Sequence, residues 1–516
     1  MASRPASNAA DSPYVLACDL GTGGVKVAVF DAQLRLVDKA FRTYASRYPA
    51  AEMAEQSPQD WWDSIRRGVR EIIARDPGVA AGIVGIGVAA MTPVFVACDQ
   101  DGRALRPAMI WMDRRAREQC QAIDREIGDD LFRICGNHND PSNFAPKAMW
   151  FRQHEPEAYN EASILHSAVG YLVHRLTGVA CADVTQCGLT QLCDTRNSRW
   201  DKSLFARCGL HMEKLPPIVE SSAVVAGLSA EVATDLGLTA GIPVVAGSMD
   251  NVAAGVGLGV VDGGEAYVSA GTATNLCVCS SEAVFDRAFH LYRHVRPGRF
   301  LSVAGVDSGG AGVKWLKELL GDIDYEDIDM LVSQPNENPH LLAFLPYLVG
   351  QRAPLWNDVT TGVLMGLHPS TSRSDLFRAL MEGNAIGLRR VLSLFRQRGF
   401  RFTSARMTGG PSLSRAYTQA FADALAIPLD VFDDSDVSVR GAAVNAAVGV
   451  GLLPSFDAAS ALLTARGRVE PDSGAAAYFE AMHELCERIY RNLQDEFDAL
   501  AKIRARFTSA HKREAK

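Results

Sequence analysis

A carboxylate followed by a glycine-rich turn lies near the start of the chain, within Val15–Asp31. Asp19 ends an apolar run, and the turn after it contains Gly21, Thr22 and Gly23. β-Branched residues at period two on the far side predict a hairpin. Successive N–H groups in such a turn suit phosphate oxygens, and the carboxylate suits the Mg2+ that accompanies a nucleotide. A plain hairpin with a solvated aspartate is the alternative.

The same pattern recurs in the second half of the chain. Glu265–Val278 again predicts a strand, a turn and a strand, with Gly271 and Thr272 at the positions that Gly21 and Thr22 hold in the first copy. Two such hairpins predict a duplicated fold with a nucleotide between its halves.

A second carboxylate follows a buried strand within Ile242–Gly259. Asp250 and Asn251 lie at the turn that opens an Ala/Gly-rich helix. In an open α/β sheet such a residue points into the ligand cleft, where it suits a general base for a hydroxyl group. The alternative is that Asp250 is only the N-cap of the helix.

An aromatic residue and charged residues follow a short apolar strand at 107–110. Trp111 offers a flat apolar wall, while Asp113 and Arg114 offer partners for hydroxyl groups, as in sugar sites. A strand end with a surface salt bridge is the alternative interpretation.

Two further glycine-rich segments precede predicted helices. Gly310 lies at a helix start that suits an anion, and Gly409 and Gly410 precede a helix capped by Ser412 or Ser414.

Local signals place several supporting elements around these motifs. Ser57 is a good N-cap for a helix that runs to Ile72, and strands are predicted at 83–88 and 94–98. A helix is predicted to open at Pro146. Small residues over Val437–Leu453 predict a helix that packs tightly against a neighbour.

Composition excludes several classes of protein. The chain has 516 residues, enough for two or three domains, and 47% of them are hydrophobic. Its formal net charge of -8 argues against non-specific nucleic-acid or acidic-membrane binding. Val79–Cys98 lacks charges but contains glycines and a proline, which favours two strands over a membrane span. The 11 scattered cysteines and the absence of Cys-x-x-Cys indicate a reducing compartment.

Together these motifs resemble the FGGY carbohydrate kinases, which belong to the actin/hexokinase/Hsp70-like ATPase superfamily. The likeness extends from about Tyr14 to Leu453. Beyond the motifs above, Lys147 and Trp150 are similar to the family's Lys-x-x-Trp signature. The stretch from Gly362 to Gly383 is similar to its longer C-terminal signature.

The resemblance implies an α/β fold of two ribonuclease H-like domains with a cleft between them. The expected divisions are a disordered tail at 1–12, a sugar-binding domain at 13–260, an ATP-binding domain at 261–455, and a trailing helical segment with a basic tail at 456–516. It also implies that the cleft closes by hinge motion and excludes water.

The resemblance further implies the roles of individual residues. Asp250 is expected to be the catalytic base, and Asp19 is expected to hold Mg2+. The residues expected to bind ATP are Asp19, Gly21, Thr22, Gly23, Lys26, Gly271, Thr272, Gly310, Gly409, Gly410 and Ser414. The residues expected to bind the sugar are Met91, Thr92, Trp111, Asp113, Arg114, Asp250 and Asn251.

The overall pattern looks closest to xylulokinase-like members of the family, so the substrate expected is a ketopentose such as D-xylulose. Those members carry Gln-Met-His-Gly where this chain has Met91-Thr92-Pro93-Val94. Because the positioned histidine is replaced at Pro93, ribulose and polyols such as erythritol or glycerol stay open as substrates.

Two other classes remain as alternatives. One is a non-catalytic sugar-binding relative, against which the retained Asp19 and Asp250 argue. The other is an ATPase chaperone, for which about 60 residues beyond Leu453 leave little room as a peptide-binding domain. A cytoplasmic protein without nucleic-acid or membrane partners is expected, and family analogy suggests a homodimer.

Overall fold

The computed structural model describes residues 13–334, 341–432 and 436–514, with side chains to residue 507. The predicted tail at residues 1–12 lies outside the described residues. Two seven-stranded sheets form the framework, the first built from strands before Asp250 and the second from strands after Glu265.

The strands of the described chain are short to medium in length. Their bounds are β1 Tyr14–Leu20, β2 Gly24–Asp31, β3 Leu36–Thr43, β4 Glu55–Gln56, β5 Ile83–Ala90, β6 Val96–Cys98, β7 Ala108–Met109, β8 Ile164–His166, β9 Ala182–Asp183, β10 Cys193–Asp194, β11 Arg199–Trp200, β12 Ile218–Val219, β13 Val224–Gly227, β14 Pro243–Val245, β15 Ser248–Met249, β16 Ala266–Ala270, β17 Thr274–Ser280, β18 His290–Arg293, β19 Phe300–Val306, β20 Ala343–Leu345, β21 Val363–Met365, β22 Ala405–Thr408, β23 Leu429–Val431 and β24 Gly467–Val469.

Helices connect and cover these strands. Their bounds are α1 Pro58–Arg75, α2 Gly78–Gly82, α3 Arg117–Glu126, α4 Asp129–Cys135, α5 Phe144–His154, α6 Pro156–Glu161, α7 Ala168–Thr177, α8 Cys187–Thr190, α9 Lys202–Cys208, α10 Ala230–Leu236, α11 Asp250–Gly257, α12 Gly309–Leu319, α13 Tyr325–Ser333, α14 Arg373–Gln397, α15 Arg415–Leu425, α16 Val437–Gly449, α17 Phe456–Ala461, α18 Ala476–Asn492 and α19 Gln494–Glu514.

The two sheets repeat one topology. In the first, β1 pairs antiparallel with β2 and β2 with β3, while β5 and then β14 extend the other side in parallel. In the second, β16, β17 and β19 form the antiparallel part, and β22 and β23 extend it in parallel. Both predicted hairpins and the duplicated fold are therefore confirmed.

Several local predictions are also confirmed. Ser57 caps α1 by accepting a hydrogen bond from the N–H of Asp60. The uncharged stretch Val79–Cys98 contains β5 and β6, and no helix in the described part of the chain is long and apolar enough to cross a membrane. Helix α5 begins at Phe144, so the prediction that it opens at Pro146 was wrong by two residues. Proline fits there because N–H groups in a first turn have no intrahelical acceptor.

Two helices rich in small residues lie between the sheets. Helix α11 leads out of the first sheet, and α16 packs against it and against β1 and β5. A methyl group on Gly441 would overlap the carbonyl of Ala253, and one on Gly257 would overlap the carbonyl of Val437. The backbones of α11 and α16 therefore touch directly, which confirms the prediction that residues from Val437 form a tightly packed helix.

The chain after α16 returns to the second half. Strand β24, which the sequence did not predict, pairs with β23. Helix α18 packs on α14 and buries Phe479, Met482 and Tyr490. Strand β24 lies within 456–516, the segment expected to trail the second domain, yet it belongs to the second sheet. The expected boundary near residue 455 stays a prediction.

We predict that Gly441→Ala destabilises the protein. Overpacking a closed backbone contact costs about 1–3 kcal/mol of unfolding free energy, so the melting temperature falls by several degrees. Thermal unfolding monitored by circular dichroism measures the change. Gly467→Ala is the control, because nothing lies within 4 Å of a Cβ at that exposed position. Equal melting temperatures for the two variants would contradict the close crossing.

Candidate active site

Two carboxylates lie where both halves of the chain meet. Asp19 is the penultimate residue of β1, and Asp250 is the first residue of α11; each is partly buried. Burial raises the pKa of Asp19 to about 6, although Lys26 opposes the shift. Burial, followed by the charge of Asp19, raises the pKa of Asp250 to about 7. The negative charge of Asp19 therefore disfavours ionisation of Asp250.

The short strand that precedes Asp250 belongs to the first sheet. Ser248 and Met249 form β15, which runs parallel to the end of β5 at Ala89 and Ala90. Met249 occupies the N-cap position with an extended backbone, so the alternative that Asp250 is only the N-cap was wrong. The Asp250 carboxylate accepts a 2.7 Å hydrogen bond from the adjacent N–H of Asn251.

The first glycine turn presents its N–H groups outward. The N–H of Gly21 donates to the carbonyl of Gly24 at 2.9 Å, which closes the turn. The Tyr44 hydroxyl donates to the Gly21 carbonyl, and Gln56 Nε2 donates to the Thr22 carbonyl at 2.8 Å. With those carbonyls bound, the N–H groups of Thr22 and Gly23 have no acceptor among the described residues.

The second turn is held in the same way. The N–H of Gly310 donates to the Gly271 carbonyl at 2.8 Å, and the N–H of Ala311 donates to the Thr272 carbonyl at 3.1 Å. The N–H groups of Thr272 and Ala273 have no acceptor in the described part of the chain. The first turn of α12 therefore supports the hairpin, and the nucleotide contact expected of Gly310 stays a prediction.

Lys26 lies opposite Asp19 in the pairing of β1 with β2. Its ammonium group pairs with Asp436 at 3.2 Å, and Lys39 pairs with the same carboxylate at 2.5 Å. Asp436 directly precedes α16, so this ion pair joins the two halves. The phosphate contact expected of Lys26 stays a prediction.

The glycine pair after β22 lies against the end of β16. Gly409 has a φ of 103°, and a side chain there would overlap the carbonyl of Ala270, whereas a Cβ on Gly410 would meet nothing within 4 Å. Ser414 caps α15 by accepting the N–H of Tyr417 at 3.1 Å, and its hydroxyl donates to Asp329. The cap is confirmed at Ser414, while the nucleotide contacts expected of these residues stay predictions.

The loop expected to bind the sugar contacts the first glycine turn. Trp111 Nε1 donates to Thr22 Oγ1 at 2.9 Å, and Arg114 pairs with Asp140 at 3.1 Å. Asp113, however, is 0% exposed, and one of its oxygens accepts the N–H of Ala54 at 2.7 Å. Its carboxylate also binds the neighbouring arginine at position 115, so it is closed to a ligand in this structure.

The remaining residues expected at the sugar site differ in exposure. Met91 is only 2% exposed, and its N–H donates to the carbonyl of Leu20, so its side chain belongs to the core. Thr92 is partly buried and donates to Gln186 Oε1 at 2.6 Å. Asn251 accepts the Tyr267 hydroxyl on its backbone carbonyl at 2.7 Å, and its side chain is partly exposed beside Asp250.

A buried support behind the turn at Met249 and Asp250 was not predicted from the sequence. The hydroxyl of Thr185 accepts the N–H of Met249 at 2.9 Å and donates to the carboxylate of Asp183. Both side chains are almost completely buried. The only signal in the sequence is an aspartate and a threonine two residues apart in an otherwise apolar stretch.

The site suits a divalent cation. Asp19 Oδ1 is buried and has no hydrogen-bond partner, and the neighbouring Asp250 carboxylate adds negative charge. Oxygen ligands of this kind suit Mg2+. The described residues contain no group of three or more His, Cys, Asp or Glu side chains that could hold a metal ion by themselves, so a cation here would need further ligands from a nucleotide or water.

Comparisons with known proteins find similarity over most of the chain. The N-terminal and C-terminal domain models of the FGGY family of carbohydrate kinases match residues 14–257 and 266–450. A xylulose kinase of Escherichia coli is 28% identical, with 92% of this chain and 98% of that protein covered. A gluconokinase of Bacillus subtilis is 23% identical, covering 95% and 98%. The crystal structure of a xylulose kinase from Rhodospirillum rubrum has a TM-score of 0.86 at 25% identity, covering 94% and 100%.

We predict that Asp250→Asn stabilises the protein at alkaline pH. A carboxyl with a raised pKa in the folded state favours folding while it is protonated, and that contribution is lost as pH rises from 3.8 toward about 7. The amide never ionises. The melting temperature of the variant should therefore exceed that of the wild type at pH 8 and approach it at pH 5.

The control for this measurement is Asp498→Asn, which removes an exposed carboxylate from α19. Its melting temperature should follow the wild type at both pH values. A difference between Asp250→Asn and the wild type that does not grow with pH would contradict the raised pKa of Asp250.

Proposed function

Because the chain belongs to the FGGY family of carbohydrate kinases, we propose that it transfers the γ-phosphoryl group of ATP to one hydroxyl of a ketopentose, with D-xylulose the first candidate. The observation that carries the proposal is the placement of Asp250. This partly buried carboxylate interacts electrostatically with Asp19, and Asp19 lies in β1 directly before the first glycine turn.

In this mechanism Asp250 orients the sugar hydroxyl and accepts its proton. With a pKa of about 7, the carboxylate is a far weaker base than an alkoxide, so it does not deprotonate the alcohol beforehand. It takes the proton late, as bonding to phosphorus lowers the pKa of the alcohol. Thr185 holds the N–H of Met249 and thereby fixes the direction of Asp250.

The open N–H groups of the two turns supply donors for phosphate oxygens. Thr22 and Gly23 serve from the first half, and Thr272 and Ala273 from the second. The carbonyls of Gly21, Thr22, Gly271 and Thr272 are hydrogen-bonded within the protein, so each turn is already arranged for an anion. Lys26 adds a positive charge next to Asp19, and Asp436 keeps that charge close to the turn.

Asp19 is the residue proposed to hold Mg2+, either directly or through water. Bound Mg2+ would neutralise charge on the phosphates during transfer. Asp19 meanwhile retains one buried oxygen without a protein partner, and that oxygen is suited to a cation or its water. A cation here also favours ionised Asp250, which the proton-accepting role requires.

A ketopentose is favoured because the xylulose kinases of Escherichia coli and Rhodospirillum rubrum resemble this chain over nearly its whole length. Trp111 offers an apolar wall next to Thr22, and Asn251 offers an amide beside Asp250. Pro93 offers no side-chain donor where xylulokinase-like proteins carry histidine, which changes the hydroxyl pattern accepted. Ribulose, erythritol, glycerol and gluconate are the competing substrates to compare.

We infer a reducing compartment for this reaction, and the cytoplasm is the one expected. All eleven cysteines are unpaired and buried. The homodimer expected by analogy stays a prediction.

We predict that the purified chain releases ADP from Mg-ATP with one sugar far above the others. A coupled assay across D-xylulose, ribulose, erythritol, glycerol and gluconate measures kcat/KM for each. A single preferred substrate supports the proposal and names the acceptor. ATP binding without phosphorylation of any compound would instead favour a non-catalytic sugar-binding protein.

The matched variant for this assay is Asp250→Asn. Loss of a positioned general base typically lowers kcat about 10²- to 10⁴-fold, while ATP affinity should stay within a few-fold. Asp498→Asn is the control and should retain full activity. A kcat for Asp250→Asn close to the wild-type value would contradict the role of Asp250.

A further inference from the structure

Helix α5, which contains the Lys-x-x-Trp motif, has a completely buried lysine. Lys147 is 0% exposed and is the fourth residue of the helix, close to the N-terminus, where the helix dipole disfavours a cation. Burial lowers its pKa to about 7, Asp113 and Asp140 oppose this shift, and Arg115 and Arg114 add to it. Burying a cation destabilises the folded state unless hydrogen bonds replace those lost to water. The groups that bind Lys147 therefore indicate its role.

The partners of Lys147 are three backbone carbonyls from two separate loops. Its ammonium group donates to the carbonyl of Ile110 at 2.8 Å, of Pro93 at 3.3 Å and of Met109 at 3.4 Å. Pro93 follows Thr92 in the turn after β5, and Ile110 directly precedes Trp111. Both loops contain residues expected at the sugar site, and this one ammonium group binds them together from behind.

A second residue of α5 supports the same loop. Trp150 lies three residues after Lys147, hence on the same side of the helix. The guanidinium of Arg115 stacks over the Trp150 ring at 4.8 Å and pairs with Asp113 at 2.7 Å. The Lys-x-x-Trp spacing therefore places both side chains on the face of α5 that packs against the loop from Ile110 to Arg115.

We propose that Lys147 is a positioning residue for the sugar site, whose ammonium group sets the spacing between the turn at Thr92 and Pro93 and the loop from Ile110 to Asp113. This inference rests on the proposed function for its effect on substrate, but its effect on the backbone does not. Lys147 touches no reacting atom, because it is completely buried behind both loops.

The test compares Lys147→Met with Lys214→Met in the full-length protein. Lys214 belongs to the same half of the chain and also donates to a carbonyl, that of Ala162, but it binds neither sugar loop. Hydrogen–deuterium exchange read by mass spectrometry follows the amides of Ile110 and Asp113, which donate to the carbonyls of Ala54 and Ile110.

We predict that Lys147→Met raises exchange about tenfold in segments 91–95 and 109–115, as expected when a charge-assisted hydrogen bond to the backbone is lost. Exchange in segments 266–280 should stay as in the wild type. Lys214→Met should leave both sugar-loop segments unchanged. Unaltered exchange in Lys147→Met, or an equal rise across the whole chain, would overturn the proposal.

The variant should change the KM values for the sugar and for ATP to different extents. In Lys147→Met, KM for the sugar should rise about tenfold and by more than KM for ATP, since Lys147 binds both sugar loops directly but reaches the first glycine turn only through Trp111. A wild type that phosphorylates no sugar contradicts the proposed function, and the exchange measurement then still decides the role of Lys147. An active wild type with unchanged sugar KM in the variant contradicts the positioning role alone.

If Lys147→Met does not fold, Lys147→Gln provides the same comparison. Glutamine keeps an amide donor on a shorter side chain that reaches fewer of the three carbonyls. Increased exchange confined to 91–95 and 109–115 supports the proposal, and wild-type exchange there contradicts it.

Discussion

The direct backbone contact between α11 and α16 is the constraint on which the site depends. Gly441 lies on the Ala253 carbonyl and Gly257 on the Val437 carbonyl, so side chains at these glycines would force the helices apart. Asp250 begins α11, and Asp436 directly precedes α16 and binds Lys26. Because both helices lie between the two sheets, their spacing affects the position of Asp250 relative to the two halves of the chain. Interiors packed this closely transmit small displacements.

The same kind of hairpin turn occurs in both halves of the chain. In each half a hairpin turn has its carbonyls bound by the protein, by Tyr44 and Gln56 in one case and by the amides of Gly310 and Ala311 in the other. The N–H groups of the two residues that follow the first glycine of each turn are left without an acceptor among the described residues. The charge of Asp19 raises the pKa of Asp250, so ionising both carboxylates lowers the stability of the fold.

Local sequence signals predicted the parts of the fold that are built locally. Both hairpins, the Ser57 cap and the Ser414 cap depend on neighbours within a few residues, and all are confirmed. The partners that define the site come from distant parts of the chain. Nothing near Lys26 indicates Asp436, and nothing near Asp113 indicates that Ala54 closes its carboxylate. These contacts join residues that lie far apart in the chain, so no local signal in the sequence predicts them.

The most direct measurement is a crystal structure of the chain with Mg2+, a non-hydrolysable ATP analogue and the preferred sugar. The account predicts phosphate oxygens on the N–H groups of Thr22, Gly23, Thr272 and Ala273, the cation at Asp19, and one sugar hydroxyl on Asp250 in line with the γ-phosphate. A triphosphate bound away from both turns, or a sugar whose hydroxyl groups do not reach Asp250, would contradict it.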